Sequence, residues 1–229
     1  MIKGTPERIA GRREEIINAC EELYQTMSFR EITLKEIGNR LPFSRPTIYN
    51  YFQTREEIFL ALFEREYDRW NEALTAIRDE PEILRGSALA ERLARSLTER
   101  EQLLKLLSMN NYDMEANSRP ERLASFKRSY GRSMELLGQI LEKHRPGMGP
   151  EEIRGFLYVF YPFMFGIYPY AAVTDKQRAA MEEAGVDYAY PTIYELVCGC
   201  LVRLLDHKER ILPAPGSSPG LATWSKAGV

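Results

Sequence analysis

Sulfur and imidazole are scarce in this sequence. There are three cysteines, Cys20, Cys198 and Cys200, and two histidines, His144 and His207, in 229 residues. An odd number of thiols without regular spacing excludes a disulfide framework and fits a reducing compartment. Cys198 and Cys200 lie two apart, so they do not share a helix face, and His207 is the only histidine near them. Too few ligands remain for a zinc site, so no metal and no other cofactor is expected. A charge excess is also lacking. The net charge of −2 excludes a globally basic coat for nucleic acid and leaves only local segregation of charge. No nucleophile elbow, phosphate-cradling glycine loop or metal-ligand spacing is present, which argues against an enzyme. The N-terminal stretch MIKGTPERIAGRREE has no apolar run of the secretory kind. The one long apolar run, Phe156 to Val173, contains four tyrosines and two prolines and lacks flanking basic clusters. It reads as a buried helix rather than a membrane span, and the expected location is the cytoplasm, with no membrane partner.

Period-two alternation persists nowhere, whereas apolar residues recur at three- and four-residue steps almost throughout. The expected fold class is therefore all-α. Thr5-Pro6-Glu7 opens a first helix with a stripe of Ile9, Ile16, Cys20, Leu23 and Met27. Thr33-Leu-Lys-Glu36 and Thr54-Arg-Glu-Glu57 are capping boxes, and Thr174-Asp-Lys-Gln177 has the same form. A long helix is expected from Thr54 to about Glu80, with Ile58, Leu62, Trp70 and Ile77 inward. Further helices are expected over about 83–97, beyond Thr98, over 118–144, 151–173 and 191–208. Positions 211–229, rich in Pro, Gly and Ser, read as a disordered tail.

Two short helices stand between the first and the long one. Leu41-Pro42-Phe43 makes the turn, and Ser44 is placed to cap the second, with Pro46 in its first turn. This is the outline of a helix-turn-helix, whose second helix enters the major groove of DNA. Ile48 and Phe52, four apart, are expected to pack inward and to leave Arg45, Thr47, Tyr49 and Tyr51 outward. An arginine here suits a bidentate contact to guanine, Pro46 suits a thymine methyl, and the hydroxyls reach phosphates or base edges. Arg55 adds charge at the next helix N-terminus, where a phosphate is already favoured. From Lys35 to Arg55 the charges are Lys35, Arg40, Arg45 and Arg55 against Glu36 alone.

The segment ITLKEIGNRLPFSRPTIYNYFQTREEIFLAL, Ile32 to Leu62, resembles the DNA-binding segment of the TetR/AcrR family of bacterial transcriptional regulators. Thr33, Ile37, Ser44, Thr47, Ile48, Tyr49, Tyr51, Phe52, Glu56, Glu57 and Ile58 match its pattern. Gly38 stands where alanine is usual, Pro42-Phe43 where Gly-Val is usual, and Arg55 where lysine is usual. The resemblance implies a helix-turn-helix domain over 1–53 and a ligand-binding and dimerisation domain over 54–210. It implies operator contacts from Arg45, Pro46, Thr47, Tyr49 and Tyr51, and a phosphate contact from Arg55. Thr33, Ser44 and Asn50 complete the expected DNA-binding set.

For the C-terminal domain the density of large, soft side chains suggests an apolar pocket. Its expected lining is Met109, Tyr112, Phe126, Tyr130, Met134, Phe160, Phe163, Met164 and Tyr168, with Pro162 and Pro169 kinking their helix to open space. Ordinary core packing is the competing reading of each of these residues. Helices near 151–173 and 191–208 are the expected homodimer interface, through the stripe Ile193, Leu196, Val197, Cys200, Leu201 and Leu204. The partners expected are a double-stranded DNA operator, a small-molecule effector and a second copy of the chain. The function expected is that of a ligand-responsive repressor. The alternative is a helical protein–protein adaptor that does not bind DNA.

Overall fold

A computed structural model describes residues 5–109 and 111–206, so the tail expected over 211–229 lies outside the described residues. Ten α-helices and one short 3-10 helix account for the regular structure, with no strand among the described residues. The chain is all-α.

α1 (Pro6–Thr26) starts where Thr5 Oγ1 accepts from the Arg8 amide at 3.4 Å, with Pro6 in the first turn. Its stripe buries Ile16, Cys20 and Leu23, and Ile9 and Met27 sit at the edges. α2 (Leu34–Asn39) is capped by Thr33, whose Oγ1 accepts from the amides of Lys35 and Glu36 at 3.2 and 3.3 Å. The Glu36 carboxylate accepts a hydrogen bond from the Thr33 hydroxyl. After the 3-10 helix Arg45–Asn50 comes α3 (Arg55–Asp79), where Thr54 Oγ1 accepts from the Glu57 amide at 3.1 Å. The expected inward residues Ile58, Leu62, Trp70 and Ile77 are all buried.

The remaining helices are α4 (Ser87–Thr98), α5 (Glu101–Leu107), α6 (Asn111–Ala116), α7 (Pro120–His144), α8 (Pro150–Ala171), α9 (Asp175–Glu183) and α10 (Ile193–Asp206). α6 has no counterpart in the sequence reading, because six residues are too few to display a period. α4 starts later than expected, after Gly86 takes a left-handed φ of 59° that ends the loop from Glu80. α8 runs through Pro162 and Pro169 as one helix. The sharp change of direction comes beyond Ala171, where α9 departs at 82°.

α3 is the spine. It packs along α7, while α10 packs along α4. Between α3, α7 and α8 the core is aromatic: Phe63 and Tyr67 meet Phe126, and Tyr67, Tyr130 and Tyr161 meet edge to face or nearly so. Full burial of each such ring contributes about 1.5–3 kcal/mol. At the far end of the spine the buried His144 accepts from the Leu84 amide through Nδ1 and donates from Nε2 to the Ile77 carbonyl, both at 3.1 Å. Lys143 Nζ donates to the carbonyls of Arg78 and Glu80 at 2.7 and 2.6 Å. The last carbonyls of α3 are thereby satisfied by α7.

At the near end a buried carboxylate does the joining. Glu57 Oε1 accepts from the amide and Nε of Arg119 at 3.1 and 2.6 Å. Its Oε2 accepts from the Gln53 amide and Arg119 Nη2 at 2.8 and 2.9 Å. Burial on its own would raise the Glu57 pKa, but the hydrogen bonds from Arg119 and the Gln53 amide outweigh it and hold the carboxyl below its ordinary value. Thr54 Oγ1 donates to the Asn117 carbonyl at 2.9 Å, and Arg119 and Arg122 donate to the Tyr51 carbonyl at 3.4 and 3.1 Å. The α6–α7 turn is thus fastened to the junction between the 3-10 helix and α3.

Removing one member of a buried pair strands the other. Arg119→Ala is expected to cost about 3 kcal/mol in urea unfolding at neutral pH. Because the folded Glu57 pKa is depressed, its contribution is present above the unfolded carboxyl pKa and is lost as pH falls through the folded value. The stability gap between wild type and Glu57→Gln should therefore narrow in acid. A gap that stays constant as pH falls through and below the pKa range of free carboxyls would refute this role for Glu57.

Candidate nucleic-acid interface

The interface is built on six residues. Arg45–Asn50 form a 3-10 helix, tighter than the α-helix expected from Ser44. Bonds from the Thr47 amide to the Ser44 carbonyl and from Tyr51 to Ile48, both 2.9 Å, show the three-residue step. Pro46 has no N–H to offer, and single-turn pieces commonly close this way. The Ser44 hydroxyl does not cap the helix through a backbone amide; it pairs with Thr47 Oγ1 at 3.1 Å.

The inward pair is as expected. Ile48 and Phe52 are fully buried against the first helices, which fixes how the short helix is rolled. Arg13 and Arg122 lie over the Phe52 ring at 5.7 and 5.6 Å, so two guanidiniums flank it. With that roll fixed, Arg45, Pro46, Tyr49 and Asn50 are exposed, Tyr49 to 50 %. Thr47 is half-buried, and Ser44 and Thr33 are exposed beside it. The Arg45 guanidinium makes no hydrogen bond to another described residue, although Glu36 is within electrostatic reach. Gly38 explains how the two short helices approach so closely. A Cβ there would meet Arg45 Cβ at 3.2 Å and Cγ at 3.3 Å.

Two expected contacts are placed differently. Tyr51 is not outward. It is 5 % exposed and belongs to the core, and its backbone carbonyl accepts from Arg119 and Arg122. Arg55 is not free for a phosphate. Its guanidinium stacks 4.2 Å over Phe29, donates to the Phe29 and Ile32 carbonyls at 3.1 and 3.2 Å, and bonds the Glu56 carboxylate. It ties α3 to the loop before α2. The clasp residues Arg119 and Arg122 were not anticipated. They lie 62 and more residues from their partners, and no local pattern announces such a pairing.

The expected pocket residues are distributed through the bundle interior. Phe126, Phe160 and Met164 are buried, and Met109, Tyr130, Met134, Phe163 and Tyr168 are half-buried. The side chain of Tyr112 lies outside the described residues. Tyr130 packs edge to face with Tyr67 and Tyr161, and two described clefts lie elsewhere. One of about 380 Å³ lies between the end of α8 and α9, beside Pro169, Met181 and Tyr188. Another, of about 750 Å³, lies by Arg85, His144 and Arg145.

On α10, Val197, Leu201 and Leu205 face inward, and Leu196, Cys200 and Leu204, also four apart, form a second, half-buried row. On α8, Tyr158, Pro162 and Phe165 are exposed. Among the described residues no single helix is long and apolar enough to cross a membrane.

The sequence matches two family models: bacterial regulatory proteins of the tetR family over residues 16–62, and the tetracyclin repressor-like C-terminal domain over residues 64–194. No curated protein matches it. Among solved structures it is similar to the Thermus thermophilus FadR, a TetR-family transcriptional repressor in complex with lauroyl-CoA. That similarity has 20 % identity and a TM-score of 0.56, covering 91 % of this chain and 99 % of that one. The fatty acid degradation regulator FadR of Bacillus halodurans is similar at 15 % identity and a TM-score of 0.57, covering 91 % and 100 %. A TetR/AcrR-family regulator from Thermobifida fusca is similar at 20 % identity and a TM-score of 0.53, covering 87 % and 100 %. These structures agree with this one in fold, and the two sequence models together run from the helix-turn-helix through the helical bundle: the chain belongs to the TetR family of bacterial transcriptional regulators.

Proposed function

We propose that this regulator is a cytoplasmic repressor that binds a palindromic DNA operator as a homodimer and is released by a small, mostly apolar inducer. The observation that carries the reading is the division of the 3-10 helix. Ile48 and Phe52 anchor one side, and Arg45, Pro46, Tyr49 and Asn50 stand free on the other. A short helix held rigidly with a cation, an aromatic hydroxyl and an amide outward fits base edges and phosphates in the major groove. Thr33, Ser44 and Thr47 border that edge with hydroxyls suited to backbone phosphates. The other reported structures support the release step only by analogy, since one of them was solved with lauroyl-CoA.

Two such heads must sit about 34–36 Å apart to meet successive major grooves. The exposed row on α8 and the outer row on α10 supply a face for a second copy. An effector in the helical bundle would displace the start of α7. The Glu57–Arg119 clasp then transmits the movement to Tyr51 and the 3-10 helix, and groove and reading head fall out of register. Coupling of this kind is typically about 1–3 kcal/mol and is reciprocal.

Duplex fragments from the chain's own upstream region should bind in fluorescence anisotropy at low salt, more weakly as salt rises. Arg45→Ala with Tyr49→Ala should lower affinity by roughly a hundredfold while circular dichroism is unchanged. Unaltered affinity in that double variant would remove the reading helix from the interface. In sedimentation velocity at micromolar concentration the wild type should run as a dimer and Phe165→Glu as a folded monomer; a monomeric wild type would exclude the proposed interface.

A further inference from the structure

Two polar atoms in the bundle interior have no protein partner. Tyr67 is fully buried and its hydroxyl makes no hydrogen bond. Asn71 is 8 % exposed. Its Nδ2 donates to the Ser129 carbonyl at 3.0 Å, yet its Oδ1 is unpaired. The two residues are four apart on α3, one helical turn, and so share a face. That face looks onto α7, where Phe126 and Tyr130 lie 5.9 and 5.6 Å from the Tyr67 ring.

Other polar groups beside this aromatic cluster are paired. Trp70 Nε1 donates to Ser96 Oγ at 3.1 Å, and the Tyr161 hydroxyl pairs with Ser133 Oγ at 2.5 Å. Buried donors and acceptors are nearly always paired, because an unpaired one forfeits its hydration for nothing. Phenylalanine and leucine would fill the same two positions without that cost. Four other buried nitrogens also lack a partner among the described residues, Nε of Arg65, Arg100 and Arg122 and Nε2 of Gln102, but Tyr67 and Asn71 are the two that stand one turn apart on α3 against the aromatic cluster, and such a pair marks a place whose partner comes from outside the chain.

The chemistry of the pair narrows that partner. The Tyr67 hydroxyl offers a proton, and burial pushes its pKa well up, so it stays neutral. Asn71 Oδ1 can only accept. The matching head group must carry an acceptor and a donor together. The side chains in ring contact with Tyr67 are Phe63, Trp70, Phe126 and Tyr130, none of them charged. Lys127 lies over the Phe126 and Tyr130 rings and is already ion-paired with Glu115 at 2.6 Å. A carboxylate would therefore set its charge against Asn71 Oδ1 without a free cation nearby.

We infer that Tyr67 and Asn71 are the polar anchors of a closed effector site between α3 and α7, which takes a neutral apolar molecule bearing one hydroxyl, such as a phenol, rather than a fatty carboxylate. The inference rests on the ligand-responsive reading above and specifies its ligand class. Tyr130 and Met134, half-buried on α7, are the side chains that must swing to admit the ligand.

The test is calorimetric titration of the full chain, without DNA, at about pH 8, where a phenol is neutral and a benzoate ionised. The probes are 4-butylphenol, butylbenzene and 4-butylbenzoate. Butylphenol should bind roughly tenfold tighter than butylbenzene, and butylbenzoate should not bind. Tyr67→Phe and Asn71→Leu should each reduce butylphenol to the level of butylbenzene and leave the unliganded melting temperature equal or higher. Three outcomes overturn the inference: equal affinity for phenol and hydrocarbon, a phenol preference that survives both substitutions, or no binding of any probe with both variants less stable, the mark of a buried water only. Duplex binding measured in parallel keeps the two readings apart. A chain that binds DNA but no phenol sinks this inference alone.

Discussion

A carboxylate deprived of water must be repaid by the protein in hydrogen bonds, and Glu57 is repaid by two segments that would otherwise be separate bodies. The Gln53 amide comes from the DNA-reading side, and the amide and guanidinium of Arg119 come from the start of α7. Neither side is complete without the other. The Tyr51 carbonyl and the Thr54 hydroxyl engage the same α6–α7 stretch. The orientation of the reading helix is therefore set partly by residues of the effector domain. A second tie lies on the other flank, where Lys105 Nζ donates to the Tyr24 carbonyl at 2.5 Å and stands 4.1 Å over its ring. Two separate fastenings leave the head little freedom to move independently of the bundle.

Much of this architecture was legible in the sequence because it is decided locally. Thr33, Thr54 and Thr174 announce helix starts, since a hydroxyl beside orphan amides has one obvious use, and all three serve in that way. The stripe of α1 and the inward pair Ile48 and Phe52 follow from helical spacing alone. What was not legible depends on geometry finer than spacing. The 3-10 winding of Arg45–Asn50 and the burial of Tyr51 are such features, and no residue type forecasts them. Arg55 occupies a position whose resemblance implied a phosphate contact, yet Phe29 and two carbonyls lie close enough to engage it first. The Glu57 partner is invisible in sequence because Arg119 and Arg122 look like ordinary surface cations until the bundle folds.

The interior shows the same limit from the other direction. A high density of aromatic and methionine side chains is compatible with a pocket and with a packed core, and composition does not separate the two. Edge-to-face rings among Tyr67, Tyr130 and Tyr161 fit either reading. Hydrogen bonding carries the finer information. Ser96 and Ser133 are small polar residues placed opposite Trp70 and Tyr161, so this core pairs its hydroxyls deliberately. Tyr67 and Asn71 differ from the other unpaired buried groups in standing one helical turn apart on α3, against that paired cluster.

The reading helix is six residues long, and at a rise of about 2 Å per residue it extends only some 12 Å. Along a duplex with about 3.4 Å per step that length faces three or four base pairs. In the proposed dimeric mode two such heads would inspect some seven positions, enough to pick one sequence among roughly sixteen thousand, while a genome offers on the order of a million or more competing sites. Direct inspection of bases would then leave a shortfall of information. The distance between the half-sites and the stiffness of the DNA between them would have to make up the difference, so selectivity would reside as much in the ruler that joins the two copies as in the letters each copy reads.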